Sequence, residues 1–195
     1  MSATPWPGVF AFEGEWDSNL KKRLSVRPLV KFLEDSQGVK TIYRDIGTRE
    51  EFFLYLDRWL QPRYKNHPIG MFAFHGTARA LHLGDVDVVT LDELASKING
   101  RARGRILYFD SCETLEIPDE EIESLRRATR ARAVVGYTKP VDFLESAAFQ
   151  LLLIDCLSRF DESPSRAKKQ LLTNYPNLVQ RLGLKFVHAT RAKAT

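Results

Sequence analysis

Met71-Phe72-Ala73-Phe74-His75-Gly76 and Ile106-Leu107-Tyr108-Phe109-Asp110-Ser111-Cys112 are two apolar runs that each close on a group capable of chemistry. Short, unbroken apolar runs stopped by polar turn residues are what strands buried on both faces of a parallel sheet require. In such sheets the crevice that receives a ligand lies beyond the carboxyl ends of the strands. An imidazole and a thiol are therefore expected at the same edge. Neighbouring strands run about 4.8 Å apart, so if these two runs are neighbours, both groups reach a single carbonyl inserted between them. The pairing predicts a cysteine peptidase.

Working outward, Val9-Phe10-Ala11-Phe12 reads as a first buried strand, followed by a polar loop through Asn19 to Arg23 and a helix over Pro28 to Glu34 that Gly38 ends. Thr41 to Arg44 alternates as a half-exposed strand. Thr48 opens a helix with Glu50 and Glu51 in its first turn and Phe52, Leu56, Trp59 and Leu60 as its buried stripe. Leu81 to Val88 alternates on both sides of Gly84-Asp85, a hairpin pattern in which the glycine is expected to take positive φ. Thr90-Leu91-Asp92-Glu93 fits a capping box for a helix that Asn99-Gly100 stops. Pro118 with Asp119, Glu120 and Glu121 begins a helix to about Thr129, and Ala133 to Gly136 is the next buried strand. Asp142 can cap a helix in which Leu144, Ala147, Ala148, Leu151, Leu152 and Cys156 recur at helical spacing. A last helix over Ser165 to Thr173 and a strand over Lys185 to His188 close the order. Strands alternating with helices predict an α/β fold, a three-layer α/β/α arrangement with a mostly parallel central sheet, and a single domain over residues 1–195.

The chain has 195 residues, 44% apolar and 28% charged, the make-up of an ordinary globular protein and not of a disordered or solenoid chain. No apolar stretch approaches the roughly 20 residues that span a bilayer, and Met1 to Pro7 lacks the pattern of a signal peptide. A cytoplasmic protein without a membrane partner is expected. Two cysteines exclude a disulfide framework, and a reducing compartment would leave a nucleophilic thiol available. The formal net charge of +4 gathers in Arg101, Arg103, Arg105 and in Arg126, Arg127, Arg130, Arg132. Clustered arginines can hold phosphate, yet no interleaved aromatic-basic motif, zinc-ligand spacing or glycine-rich phosphate loop accompanies them. Neither nucleic acid, nor a metal, nor a cofactor is expected.

Cys112 sits in a polar turn, whereas Cys156 lies among leucines and is expected to be a small core hydrophobe. His75 suits the base and later the acid, because imidazole titrates near neutrality. Gly76 permits close approach of its backbone, and its N–H with that of Cys112 could stabilise an oxyanion.

A buried strand ending in His-Gly, then a hairpin, a helix and a second buried strand ending in Asp-x-Cys resembles the caspase-like cysteine peptidases, the clan of caspases, metacaspases, gingipains, separases and CHAT proteins. Phe74-His75-Gly76 through Thr90-Leu91-Asp92-Glu93-Leu94, and then Tyr108-Phe109-Asp110-Ser111-Cys112, is most similar to short bacterial metacaspase-like and CHAT-like domains. The resemblance implies His75 and Cys112 as dyad, the Gly76 and Cys112 amides as oxyanion hole, and a protein or peptide substrate. It also implies that Asp110 lines a pocket for a basic side chain, although an acid there can equally brace the Cys112 loop. The segment at Tyr137 is where relatives pair with extended substrate; Tyr137 and Asp142 also suit packing and helix capping. Relatives of this kind in bacteria are associated with stress, cell-death or antiviral modules, and a regulatory protein partner is compatible with that setting.

One departure from the family stands out. Glu113-Thr114-Leu115-Glu116 follows the nucleophile where relatives commonly have glycine, and two acids there would oppose thiol ionisation. A catalytically weak or inactive interaction domain, recognising its partner through the Tyr137 loop and the Arg126 to Arg132 surface, is therefore the alternative to a peptidase. A flavodoxin-like domain suits the sheet but lacks an acidic cluster or phosphate loop near the first strand.

Overall fold

The computed structural model describes residues 7–19, 21–22, 24–160 and 163–189. In chain order the elements are β1 (Val9–Glu13), α1 (Arg27–Gln37), β2 (Thr41–Asp45), α2 (Arg49–Trp59), β3 (Ile69–Ala73), β4 (His75–Thr77), β5 (Ala80–His82), β6 (Val88–Thr90), α3 (Leu91–Ile98), β7 (Ile106–Asp110), α4 (Asp119–Thr129), β8 (Ala133–Tyr137), α5 (Phe143–Arg159), α6 (Pro164–Asn174), α7 (Pro176–Leu182) and β9 (Leu184–His188). Six strands form the main sheet in the order β2-β1-β3-β7-β8-β9. All its pairings are parallel except β8 with β9. The strands carrying the two chemical groups, β3 and β7, are neighbours, with Ala73 opposite Asp110.

Alternation along each strand sorts the side chains to two faces. Phe10, Phe12, Phe72, Leu107, Phe109 and Val134 pack under α2, α3 and α4. Val9, Ala11, Met71, Tyr108, Val135 and Tyr137 pack under α1, α5, α6 and α7. Both faces are covered, which is why β1, β3, β7 and β8 are buried along their whole length.

Helix starts follow the expected chemistry. Thr48 and Thr90 accept from the Glu51 and Glu93 amides, Thr90 within a full capping box, and Asp142 accepts from the Glu145 amide. Other expectations are corrected. His75 does not end the parallel strand: β3 stops at Ala73, and His75 opens a separate antiparallel ribbon, β4-β5-β6. Gly84 has no positive φ, because β5 and β6 are joined by a wider loop that the Leu83 amide closes on the Asp87 carbonyl. Helix α5 keeps Ala147 and Cys156 of its expected face buried, but Leu144 is 77% exposed and Ala148 is exposed, while Phe149, Gln150, Leu153, Ile154 and Leu157 are buried beside them. Helix α7 was not anticipated, and β9 runs against β8.

Several of the clustered arginines serve the structure. Arg105, 5% exposed, stacks on Trp59 and donates to the carbonyls of Gln61, Tyr64 and His67, sealing the amino edge of the sheet. Arg101 pairs with Asp57, and both Arg126 and Arg127 pair with Glu123. No helix among the described residues is long and apolar enough to cross a membrane.

Candidate active site

The turn after β7 carries Cys112, and neighbouring elements stitch it on two sides. On one side Thr114 meets Ser111 through their hydroxyls at 2.7 Å, reaches the Ala80 carbonyl, and accepts from the Arg79 amide on its own carbonyl. On the other, the Glu113 and Leu115 amides donate to the Lys139 and Tyr137 carbonyls. The turn is thus fastened both to the ribbon bearing His75 and to the end of β8. Glu113 holds φ +54°, the left-handed backbone that glycine adopts freely.

Gly76 lies against this turn so closely that a β-carbon on it would come 2.3 Å from both the Cys112 carbonyl and the Thr114 hydroxyl. Only glycine brings the two backbones together there. Among the described residues the Cys112 N–H meets no acceptor, which leaves it available to a ligand.

His75, Asp110 and Cys112 line one cavity of about 130 Å³, together with Ser111. Its walls are apolar, from Trp16, Leu24, Val26, Val141, Phe143 and Ala147, and Ser146 and Gln150 add polar groups. No hydrogen bond joins imidazole and sulfur in this conformation. The Cys112 Sγ instead accepts from the Val141 amide at 3.4 Å. The His75 Nε2 lies 2.8 Å from the Trp16 carbonyl. A carbonyl only accepts, so Nε2 carries a proton, and in the neutral ring Nδ1 then keeps the lone pair a base needs. The Trp16 ring meets the His75 ring edge to face at 5.2 Å. Sequence reasoning missed Trp16, because a main-chain carbonyl leaves no mark in residue type.

Asp110 is buried, and burial lifts its carboxyl to about 7 even though the Tyr108 hydroxyl donates to it at 2.7 Å; the charge of Glu13 adds to the rise. Tyr137 is corrected as a substrate-contacting side chain. Its ring is wholly enclosed and its hydroxyl meets that of Tyr108 at 3.0 Å, so it packs the core behind Asp110. Cys156 is buried and its thiol is pushed up to about 11 by that burial, as suits an inert core residue. Among the described residues no group of acids, histidines and cysteines is arranged to hold a metal.

Among solved structures the chain is similar to caspase-1 from Spodoptera frugiperda, with a TM-score of 0.56 over 94% of this chain and 87% of that one, at 10% identity. That likeness establishes a caspase-like fold and leaves the chemistry to the residues. No curated protein matches. Residues 7–188 match the model of a family described as being of unknown function, DUF6642, and the chain belongs to that family.

Proposed function

We propose that this chain is a cysteine endopeptidase of specific protein substrates, related to short bacterial metacaspase-like and CHAT-like domains and acting in the cytoplasm. The observation that carries the reading is the shared cavity of His75 and Cys112, with Gly76 pressed against the nucleophile's turn. In the proposed reactive arrangement the sulfur leaves the Val141 amide and meets Nδ1 while Nε2 stays on the Trp16 carbonyl, as catalytic contacts often tighten only when substrate is bound.

In the proposed reaction His75 Nδ1 takes the thiol proton and Cys112 Sγ attacks the scissile carbonyl. The Gly76 and Cys112 amides receive the oxyanion, each such donor being typically worth about 3 kcal/mol. His75 returns the proton to the leaving amine, and water activated by the same imidazole hydrolyses the acyl-thioester. Asp110 faces the cavity and would favour a lysine or arginine side chain of the substrate once ionised, so that preference should strengthen as pH rises through about 7.

Labelling with arginyl and lysyl chloromethylketones tests the reading. Covalent capture of Cys112 in the native chain and its loss in His75→Ala are expected. Labelling that ignores His75 would remove the peptidase claim, whereas labelling by apolar electrophiles alone would remove only the basic preference. The second reading, an interaction domain on the same scaffold, has the Val141 tether of the sulfur in its favour. Cellular function that survives Cys112→Ala would select it.

A further inference from the structure

We infer that Glu13 is a positioning residue for His75, acting through Trp16; the inference rests on the dyad reading above. Glu13 ends β1 and is 2% exposed. Its carboxylate is well partnered: Oε1 accepts from the Trp16 indole at 2.6 Å and the Val26 amide at 2.7 Å, Oε2 accepts from the Ser25 hydroxyl at 2.7 Å, and the single Tyr43 hydroxyl proton is shared between Oε2 and Asp45, each at 2.5 Å. Surrounded by these groups and 2% exposed, it holds the loop and does not meet a substrate. Burying such a group is costly unless neighbours satisfy it, and here the neighbours belong to both ends of the loop between β1 and α1.

The described residues of that loop have no regular structure, yet they supply the carbonyl that holds His75. His75 itself is exposed, so its ring has little packing to fix it. Trp16 is gripped at three points: its indole N–H by Glu13, one ring contact with His75, and another with Phe143 at 5.8 Å. Glu13 in turn is locked in the sheet, opposite Asp45 on one side and Ala73 on the other. Rigidity therefore passes from the central sheet through the carboxylate and the indole to the Trp16 carbonyl, and from there to the imidazole tautomer. At metal sites, partners that orient a ligating histidine are worth about 10- to 100-fold, and an imidazole base held in the same way is expected at the low end of that range.

The test is nitrogen-15 NMR of the imidazole with the rate of Cys112 alkylation by iodoacetamide as a second readout. In the native chain His75 should show a single neutral tautomer, protonated on Nε2. Glu13→Gln turns two acceptor sites into donors facing donors, and Trp16→Phe keeps the ring and the carbonyl while removing the indole N–H. Both should give a tautomer mixture and alkylation near pH 7 slowed about tenfold. Ser25→Ala removes a bond to the same carboxylate but not the Trp16 link, and should leave the His75 signals in place. Unchanged His75 signals in Trp16→Phe, or an equal change in Ser25→Ala, would overturn the inference. If His75→Ala does not slow alkylation of the native thiol, the peptidase reading fails, while the tautomer comparison still decides the role of Glu13.

Discussion

The two faces of the central sheet are built by different rules. Under α2, α3 and α4 the contacts are between rings: Phe72 stacks on Phe12 at 5.0 Å and on Phe109 at 5.4 Å, and meets Trp59 edge-on at 6.1 Å. Under α1 and α5 the strands end in Glu13 and Asp110, and Tyr108, Tyr137, Ser146 and Gln150 bring further polar atoms inside. The first face spends its volume on dispersion and ring geometry. The second accepts buried polar groups, each of which must find partners, and all the chemistry proposed for the molecule opens from that side. Stability and chemistry are thus divided between faces of one sheet.

The division can be broken or sharpened by substitution. The largest effect belongs to the aromatic face: Phe72→Ala should lower stability in urea by about 5 kcal/mol while labelling per folded molecule stays the same. Labelling that collapses in the folded fraction would show that the faces are not independent. Next comes Asp110. Its carboxyl is held near 7 in the folded chain and returns to the ordinary range on unfolding, so the native state binds the extra proton between those values. This contribution to stability is therefore fully present below pH 3.8 and is lost as pH rises to about 7, by up to about 4 kcal/mol in all. Asp110→Asn should flatten that slope in melts taken across pH; an unchanged slope would assign it to another group.

Smaller still is Gly76→Ala. The added methyl forces the ribbon and the Cys112 turn apart, and a loss of about 2 kcal/mol with loss of Cys112 labelling is expected. Full labelling in that variant would mean the close approach has no part in the chemistry. Tyr137→Phe should cost about 1 kcal/mol, the usual worth of one internal hydrogen bond, and leave labelling intact. Altered substrate choice in that variant would return Tyr137 to the site.

Much of this architecture was legible because doubly buried strands write themselves as unbroken apolar runs, and because Thr48, Thr90 and Asp142 announce helix starts by short polar side chains. The face of α5 was not legible: leucines occur all round that helix, so periodicity alone could not say that Leu144 faces water while Phe149 and Leu153 face the sheet. Helix α7 was hidden because Tyr175 both ends α6 and precedes Pro176, which makes two short helices read as one and a tail. At the site, His75, Gly76, Asp110 and Cys112 could be picked out by residue type and position. Glu13 could not, since a glutamate closing a strand reads as a solvated end; only the fold reveals that loop and sheet both converge on it.

The left-handed backbone at Glu113 has a consequence for anyone who wishes to tune the thiol. One codon separates the present turn from its glycine counterpart, and that exchange would relieve an awkward torsion and delete a neighbouring negative charge in one step. The amide bond from residue 113 to the Lys139 carbonyl is made by main chain alone and would survive it. A turn can therefore be eased at its tightest torsion without loosening the strand end that holds it.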